Sequence, residues 1–459
     1  MPQRSFQELG DDAASPSCGA FPGRWRLVLA SHVAHVLTLG PLYSFSVLYK
    51  AFLSDPSLEG NRASAATVGS AASCTLLACG LITGALVSRY GHQRVCLAGA
   101  ALLSLGLFLA SQATTIPALL LTFGILGGAG ANLAFSPGIM LIPLHFEQNR
   151  ALATGLAVAG SGVGTLVVSQ ALTAAIVAAG WRAALRGLAV ACLLGISAAA
   201  VHYAPPQLPP APLPMPALAE GGEGAQPAAL PDAQPAALPD AQPDALAMAP
   251  QPALPLPPAP PSPPQPLTLA QLVAHPAWLP FSVTHALYGG FIWTTYAHLV
   301  PACMDWGLSA EEGAAALSAV GLCGAVGRVG LGFAADRLRV SKVALLAGCM
   351  AVAGVPIVGL ALAGGGSPGV VIAACGFFGV FSGSVVAQVP PLLASLMGQE
   401  NLPLALGSQY SVQVPFVLAL PPIVGWLRQE QGGYGMGMAL CGAAFILAPL
   451  PLLPLRRRE

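Results

Sequence analysis

The sequence carries very little charge for its length. Only 8% of its 459 residues are Asp, Glu, Lys or Arg, whereas about a quarter of a soluble globular protein is charged. The 18 basic residues are balanced by 18 acidic ones, so there is no basic excess that would hold a nucleic-acid backbone. There is also no acidic excess that would solvate a disordered chain. Nucleic-acid binding and disorder of the whole chain are therefore excluded.

Motifs for metal, nucleotide and catalytic chemistry are missing as well. The ten cysteines include no CxxC pair and no cluster with histidine at metal-ligand spacing. Nine of them, Cys74 to Cys441, lie in or beside apolar runs, where we interpret them as small hydrophobic side chains. No Walker A motif occurs. We expect no cofactor, no metal, no catalytic residues and no enzymatic activity.

Apolar residues dominate instead, at 55% of the chain, and the mean hydropathy is +0.70. Runs of about 20 apolar residues, long enough to cross a ~30 Å hydrocarbon core, recur along the sequence. Continuous runs of this length predict helices rather than the alternating strands of a membrane β-barrel. We therefore predict an all-α, multi-pass protein of the lipid bilayer with twelve transmembrane helices. The predicted spans are residues 26–50, 63–88, 94–114, 116–142, 150–176, 183–203, 277–303, 311–335, 341–363, 368–397, 403–427 and 436–455.

The spans form two groups of six, separated by residues 204–266. This segment holds 22 of the 44 prolines, five acidic residues and no Lys or Arg. One eight-residue sequence, or octet, occurs in it twice, at 227–234 and at 235–242. Such a composition predicts a disordered linker, because it supports neither a helix nor a core. The predicted parts are a tail (1–25), a first six-helix bundle (26–203), the linker (204–266), a second bundle (267–455) and a basic end (456–459).

The distribution of Lys and Arg predicts the orientation. With a cytoplasmic N-terminus, twelve basic residues fall on the inner side and five on the outer side. Both termini and the linker are then cytoplasmic. Residues 1–24 contain no apolar h-region, so we expect no cleaved signal peptide. We expect the protein to lie in the plasma membrane, with an organelle membrane as the alternative. The sequence does not indicate whether the protein has an accessory subunit.

The two groups of spans carry matching turns. Gly84-Ala-Leu-Val-Ser-Arg-Tyr-Gly-His-Gln-Arg94 follows the second span and Gly332-Phe-Ala-Ala-Asp-Arg-Leu-Arg339 follows the eighth. Both turns resemble the Gly-x-x-x-Asp-Arg-x-Gly-x-Arg loop of the major facilitator superfamily, although Ser88 replaces the first aspartate. The resemblance implies two pseudo-symmetric bundles that rock around a central site.

A narrower resemblance begins at His145. The segment His145-Phe-Glu-Gln-Asn-Arg-Ala-Leu-Ala-Thr-Gly-Leu-Ala-Val-Ala-Gly-Ser-Gly-Val-Gly164 resembles the signature with which monocarboxylate transporters enter their fifth span. Its glycines favour close helix packing, so it indicates a family rather than a site. Tyr43 and Gly324 stand where proton-coupled members of that family have a lysine and an aspartate.

Arg328 is the sharpest candidate for a binding residue. It lies about 12 Å from the polar end of its span at Asp336. Exposing an arginine side chain to lipid at that depth would cost roughly 2.5 to 3.5 kcal/mol, so we expect it to face protein or a water-filled cavity. Small residues such as Gly324 and Gly332 share its face, and we expect them to leave room for a ligand beside the guanidinium. Apart from Glu311 and Glu312 in the first two positions of the eighth span, no Asp or Glu lies inside a predicted span. An organic anion is the natural partner, because a guanidinium binds a carboxylate bidentately. The alternative is an arginine bonded to helix carbonyls in a closed structure.

Polar side chains at helical spacing complete the candidate substrate site. They form one stripe on span 1, with His32, His35, Tyr43 and Ser46, and one stripe on span 7, with His285, Tyr288, Thr295 and Tyr296. The candidates besides Arg328 are Tyr43, His32, His35, His285, Tyr288, Asn132 and Gln388.

We predict a transporter that carries a small organic anion by alternating access. Tyr43-Ser-Phe-Ser-Val also resembles the oxalate and formate exchangers, and a sensor that binds without transporting remains a further alternative. Two coupling modes are open: exchange or uniport with little pH dependence, or proton coupling through His32, His35 or His285, since histidine alone among the polar side chains of these spans titrates near neutrality. We favour the first.

Overall fold

Helices make up all of the regular structure in the described part of the chain. The computed structural model describes residues 23–56, 58, 62–146, 148–203, 266–337 and 340–458, and no strand occurs among them. The all-α fold class is confirmed. The predicted tail up to residue 22, the predicted linker up to residue 265 and residue 459 lie outside the described residues.

The first half contains six spans, two of which are joined without a loop. Helix Gly160–Ala200 is continuous except at Gly180, whose φ of 79° and ψ of 162° divide it into spans 5 and 6. Glycine has no Cβ to oppose a positive φ, so it permits this sharp change of direction. The helices are Gly23–Tyr43 and Phe45–Leu53 (span 1), Arg62–Ala78 and Gly80–Tyr90 (span 2), His92–Ala110 (span 3), Ile116–Leu119, the π-helix Leu120–Gly127 and Gly128–His145 (span 4), Arg150–Val158 with 160–179 (span 5), and 181–200 with the 3₁₀ turn Val201–Tyr203 (span 6).

The second half begins with the short helix Leu269–Val273, where Thr268 and Gln271 form a reciprocal capping box. Six spans follow it. They are Trp278–Asp305 (span 7), Ala310–Arg337 (span 8), Lys342–Ala363 (span 9), Pro368–Met397 (span 10), Leu402–Ser411 and Val414–Gln431 (span 11), and Gly435–Leu447 with the 3₁₀ helix Leu450–Arg458 (span 12).

Nine helical stretches of the described chain are long and apolar enough to cross a bilayer. The pair Thr67–Ala78 and Gly80–Tyr90, bent by 43°, makes a tenth. The 54-residue stretch Arg150–Tyr203 is two spans because of Gly180, and span 7 is long enough but carries several polar side chains. Counted in this way, the described residues contain the twelve predicted spans.

The outer surface of the helices is apolar, as a bilayer requires. Val177 is 83% exposed and Leu362 is 78% exposed, and large apolar side chains are exposed on almost every span. Contiguous apolar surface on this scale is not tolerated by a monomeric protein in water. The nine described cysteines are free thiols and most of them are buried between helices.

The halves meet at the end that carries the two repeated turns, residues 84–94 and 332–337, which we call the turn end. Gly332 of span 8 lies against span 5, where a Cβ would come within 2.7 Å of the Ala151 carbonyl oxygen. Gly84 of span 2 lies equally close to the backbone of Pro403 in span 11. The repeated glycines therefore permit backbone contact between the halves.

Candidate substrate site

A cavity lies between the two halves, beyond the turn end. It contains about 970 Å³ of space free of protein atoms, part of it continuous with solvent, and 24 residues line it. Spans 1, 2, 4 and 5 contribute to it from the first half, and spans 7, 8, 10 and 11 from the second. A ligand in this cavity would contact both halves at once.

Arg328 lines the cavity from span 8 and reaches across to span 5. Its Nη1 donates hydrogen bonds to the Ser161 Oγ at 2.7 Å and to the Val158 carbonyl oxygen at 3.3 Å. Span 5 is interrupted at this level, between Val158 and Gly160, and the Ser161 hydroxyl also donates to the Val158 carbonyl. The arginine is thus anchored by neutral groups at a helix break.

The guanidinium has no carboxylate partner among the described residues. The ion pairs found there join Asp55 to Arg182 and Asp305 to Arg428, each within one half of the molecule. The Arg328 Nε is buried and donates no hydrogen bond. The cavity therefore contains a fixed positive charge whose hydrogen-bonding capacity the described protein groups leave partly unused.

The small residues around Arg328 have a different role from the one we expected. Gly324 and Gly332 do not leave room for a ligand, because neighbouring helices fill the space: Gly324 lies against Gly379 of span 10, and Gly332 against Ala151. Gly155 of the signature segment packs on the Arg328 backbone itself, where a Cβ would lie 2.9 Å from the carbonyl carbon. These glycines allow close packing. The open space is lined mainly by residues of spans 1, 7 and 10.

Four of the other predicted site residues line the cavity with Arg328, namely His35, Tyr43, His285 and Tyr288. The His35 Nδ1 lies 2.7 Å from the Ser31 carbonyl oxygen, and the His285 Nδ1 lies 3.3 Å from that of Gln409. Each imidazole is therefore held through Nδ1. The Tyr288 hydroxyl donates to the Ser382 carbonyl oxygen at 2.8 Å.

The remaining three predicted residues do not line the cavity. The His32 Nδ1 lies 2.7 Å from the Leu156 carbonyl oxygen, which joins span 1 to span 5. Asn132 donates to the Leu76 carbonyl oxygen at 2.7 Å and joins span 4 to span 2. Gln388 donates within span 10 to Ser384 and contacts the Cys349 sulfur. In this structure all three connect or brace helices.

Most of the residues that line the cavity were not among the candidates from sequence, and Ser161, Phe135, Trp293 and Tyr410 are four of these. Ser161 lies inside the glycine-rich signature segment, which we interpreted as packing alone. Phe135, Trp293 and Tyr410 are aromatic, and an aromatic residue in an apolar run gives no sign of whether it faces lipid, core or cavity. Trp293 is the one with a usable signal, since it is three residues from Tyr296 in the polar stripe of span 7.

A sequence model described as Major Facilitator Superfamily matches residues 32–419, which is most of the chain. The chain belongs to this superfamily. Within it the chain is similar to monocarboxylate transporters. It is 26% identical over 440 residues to monocarboxylate transporter 12 of Rattus norvegicus, covering 96% of this chain and 86% of the relative. It is 29% identical over 438 residues to monocarboxylate transporter 11 of Mus musculus, covering 93% and 86%. It is a transport protein and not an enzyme.

Solved structures of the superfamily share the fold. The proton:xylose symporter XylE has a TM-score of 0.64 at 12% identity, with 93% of this chain and 94% of that chain covered. The human organic anion transporter MFSD10 has a TM-score of 0.64 at 14% identity, with 94% and 100% covered. The two pseudo-symmetric six-helix bundles predicted from the repeated turns are those of this fold.

Proposed function

We propose that this superfamily member carries a small organic anion with a single carboxylate across the membrane by alternating access, and that Arg328 binds the carboxylate. One observation carries the proposal: a guanidinium without a carboxylate partner among the described residues lies in a cavity formed by both halves. The names of the relatives, monocarboxylate transporters 11 and 12, agree with it. The distribution of basic residues supports an orientation in which the turn end faces the cytoplasm. We propose the plasma membrane as its location.

The chemistry of the unused donors favours a carboxylate. Nη1 is engaged with span 5, while Nε lacks an acceptor. A carboxylate that meets the guanidinium side-on accepts two parallel hydrogen bonds, and such charge-assisted pairs are about twice as strong as neutral ones. The apolar surroundings strengthen the pairing further because they lower the local dielectric constant.

The same contacts explain how binding would act on the two halves. Arg328 belongs to the second half, and its anchors Ser161 and Val158 belong to the first. An anion bound at the Nε side of the guanidinium neutralises part of the charge that strengthens the Nη1 hydrogen bonds to these anchors. The substrate would thereby change the strength of a contact between the halves, which is what alternating access requires of a ligand.

The test is uptake of labelled monocarboxylates by liposomes that contain the purified full-length protein. Arg328→Ala should abolish uptake, and Arg328→Lys should raise the half-saturating concentration about tenfold or more, because lysine keeps the charge but loses the planar fork. Arg186→Ala is the matched control, since Arg186 is exposed and lies outside the cavity. Normal uptake by Arg328→Ala, or substrate binding without any uptake by the unmodified protein, contradicts the proposal.

An imposed pH gradient in the same liposomes tests the coupling mode. The titratable or charged residues that line the cavity are Arg328, the histidines His35 and His285, and four tyrosines; no Asp or Glu is among its described lining. We therefore propose exchange or uniport, with uptake changing less than about twofold when the outside is made acidic. Strong acid stimulation that disappears in the His35→Gln, His285→Gln double variant would instead indicate proton coupling through these histidines.

A further inference from the structure

The aromatic residues of the cavity define the substrate more narrowly. We infer that the carried anion is an aryl monocarboxylate, that is, an aromatic ring joined to one carboxylate by a short chain. The inference rests on the proposed function, because Arg328 is taken to bind the carboxylate. It concerns the rest of the substrate, so an experiment can contradict it without contradicting the proposed function.

Aromatic side chains are concentrated around the cavity. Phe, Trp and Tyr make up 7% of the chain, yet they provide six of the 24 residues that line the cavity. The six are Tyr43, Phe135, Tyr288, Trp293, Tyr296 and Tyr410. A site for a small aliphatic acid has no need of such a lining.

The rings are arranged in pairs that close the cavity from both halves. Tyr43 of span 1 faces Trp293 of span 7, with ring centroids 5.8 Å apart and planes at 56°. Phe135 of span 4 meets Tyr410 of span 11 edge-on, with centroids 6.0 Å apart. Rings at these separations prefer tilted or edge-to-face contacts, and a third ring can enter such a set with the same geometry. The pairs offer aromatic contacts on two sides.

The rings and the guanidinium lie at different depths. Arg328 is nine residues from the end of span 8 at Arg337, and Trp293 is fifteen residues from the start of span 7 at Trp278. Both of these helix ends lie on the turn-end side, so a rise of 1.5 Å per residue puts Trp293 about 9 Å farther from that end than Arg328. This offset fits a carboxylate at Arg328 with a ring, attached by a short chain, beside Trp293.

The charges of the cavity exclude a second carboxylate. Arg328 is the one Lys or Arg among the described lining residues. The Tyr43 and Tyr410 hydroxyls line the same space, and neither is in a hydrogen bond with a described group, so they are free to meet a hydroxyl or ring nitrogen on the substrate. One cation and neutral polar groups favour a monoanion with an aromatic body over oxalate.

Four labelled compounds separate the parts of the inference in the liposome assay. Phenylacetate should be carried with a half-saturating concentration about tenfold below that of acetate, and several-fold below that of cyclohexylacetate, which has similar bulk but no π-system. Phenylacetamide lacks the charge and crosses a bilayer unaided, so its uptake should not exceed that by liposomes without the protein. Equal handling of acetate, cyclohexylacetate and phenylacetate, with all three dependent on Arg328, overturns the aromatic inference and leaves the proposed function intact. Equal transport of phenylacetamide overturns both.

Variants of Trp293 assign the preference to the rings. Trp293→Leu replaces the ring with an aliphatic side chain and should raise the half-saturating concentration for phenylacetate about tenfold more than that for acetate. Trp293→Phe should restore most of the preference. Phe377→Ala is the control, because Phe377 is 48% exposed and lies outside the cavity. If Trp293→Leu folds, keeps acetate uptake and still prefers phenylacetate, Trp293 does not recognise the ring and the inference is wrong. A Trp293→Leu protein that fails to fold leaves the four-compound comparison on the unmodified protein to decide.

Discussion

Two of the interfaces that join the halves, span 5 with span 8 and span 2 with span 11, occupy equivalent places in the repeat. In the first, Arg328 of span 8 binds the break in span 5. In the second, Ser411 of span 11 binds the bend in span 2, where its hydroxyl accepts from the Leu81 N–H and donates to the Ala78 carbonyl oxygen, both at 3.0 Å. Both interfaces satisfy backbone groups at an interrupted helix, but only the first does so with a charged side chain.

The turn end repeats this difference. Asp336 of span 8 accepts hydrogen bonds from the Ala151 and Leu152 amides at 3.2 and 2.8 Å, so it supplies negative charge to the N-terminus of span 5 in the other half. Ser88, at the equivalent place in span 2, turns back and donates to the Gly84 carbonyl oxygen.

The start of span 11 explains why a serine suffices there. The Leu402 amide is already bonded to the Gln399 carbonyl oxygen at 3.2 Å, and Pro403 has no N–H. Fewer amides therefore need an outside acceptor than at the start of span 5. The span 5–span 8 interface carries charge at both ends of its contact, whereas the span 2–span 11 interface is neutral. The charge of a substrate can therefore interact with the charged side chains of the span 5–span 8 interface, whereas the span 2–span 11 interface offers it no charged side chain among the described residues.

Removing the Asp336 charge should have the largest effect on the difference between the charged span 5–span 8 interface and the neutral span 2–span 11 interface. Asp336→Asn weakens the cap on span 5 by about 1 kcal/mol, so the Ala151 and Leu152 amides should exchange with deuterium about fivefold faster. Mass spectrometry of a peptide covering residues 148–156 measures this. Ser88→Asp is the reverse test, and exchange at the start of span 11 should change less than twofold. Unchanged exchange in Asp336→Asn would mean that packing alone holds span 5.

Ser411→Ala should have a smaller, local effect. It removes both hydrogen bonds at the bend of span 2, but the Leu81 group is only partly buried and water can replace the lost partner. We expect exchange at Leu81 to rise about threefold, with monocarboxylate uptake at more than half of the normal rate. Uptake as low as that of Arg328→Ala would show that the neutral interface is as important as the charged one.

Shortening the connection between the halves should have the smallest effect. Deletion of residues 235–242, the second octet, removes apolar and proline residues from a segment that its composition predicts to be disordered. Folding, measured by gel filtration in detergent, and uptake should both match those of the full chain. A loss of either would mean that this segment has a binding partner and that the two interfaces alone do not hold the halves together.

The sequence predicts the spans well because hydropathy and helix length are local properties. The twelve spans and the repeated turns needed only runs of apolar residues and their breaks. The site is less predictable because it depends on how helices face one another. His32 and His35 belong to one polar stripe of span 1, but they have different surroundings. His32 contacts the Leu156 carbonyl oxygen of span 5, whereas His35 lines the cavity.

Contacts across the halves were the least visible from sequence. Ser161 is 167 residues from Arg328, and nothing in its own segment indicates that an arginine binds there. Gly324 and Gly332 could be assigned to Arg328's face by helical spacing, but spacing gives no information about the spans 10 and 5 that cover them. An interpretation of small residues as empty space needs the neighbouring helix to be known.

The polar side chains of span 7 matter before the protein has folded. A segment enters the bilayer during synthesis according to its own hydrophobicity, and His285, Thr294, Thr295 and His298 make this span a poor candidate by itself. Its histidines are bonded to carbonyl oxygens of span 11, His285 to Gln409 and His298 to Pro421, which the ribosome adds 124 and 123 residues later. The histidines of span 7 therefore gain these partners only after most of the second half has been made.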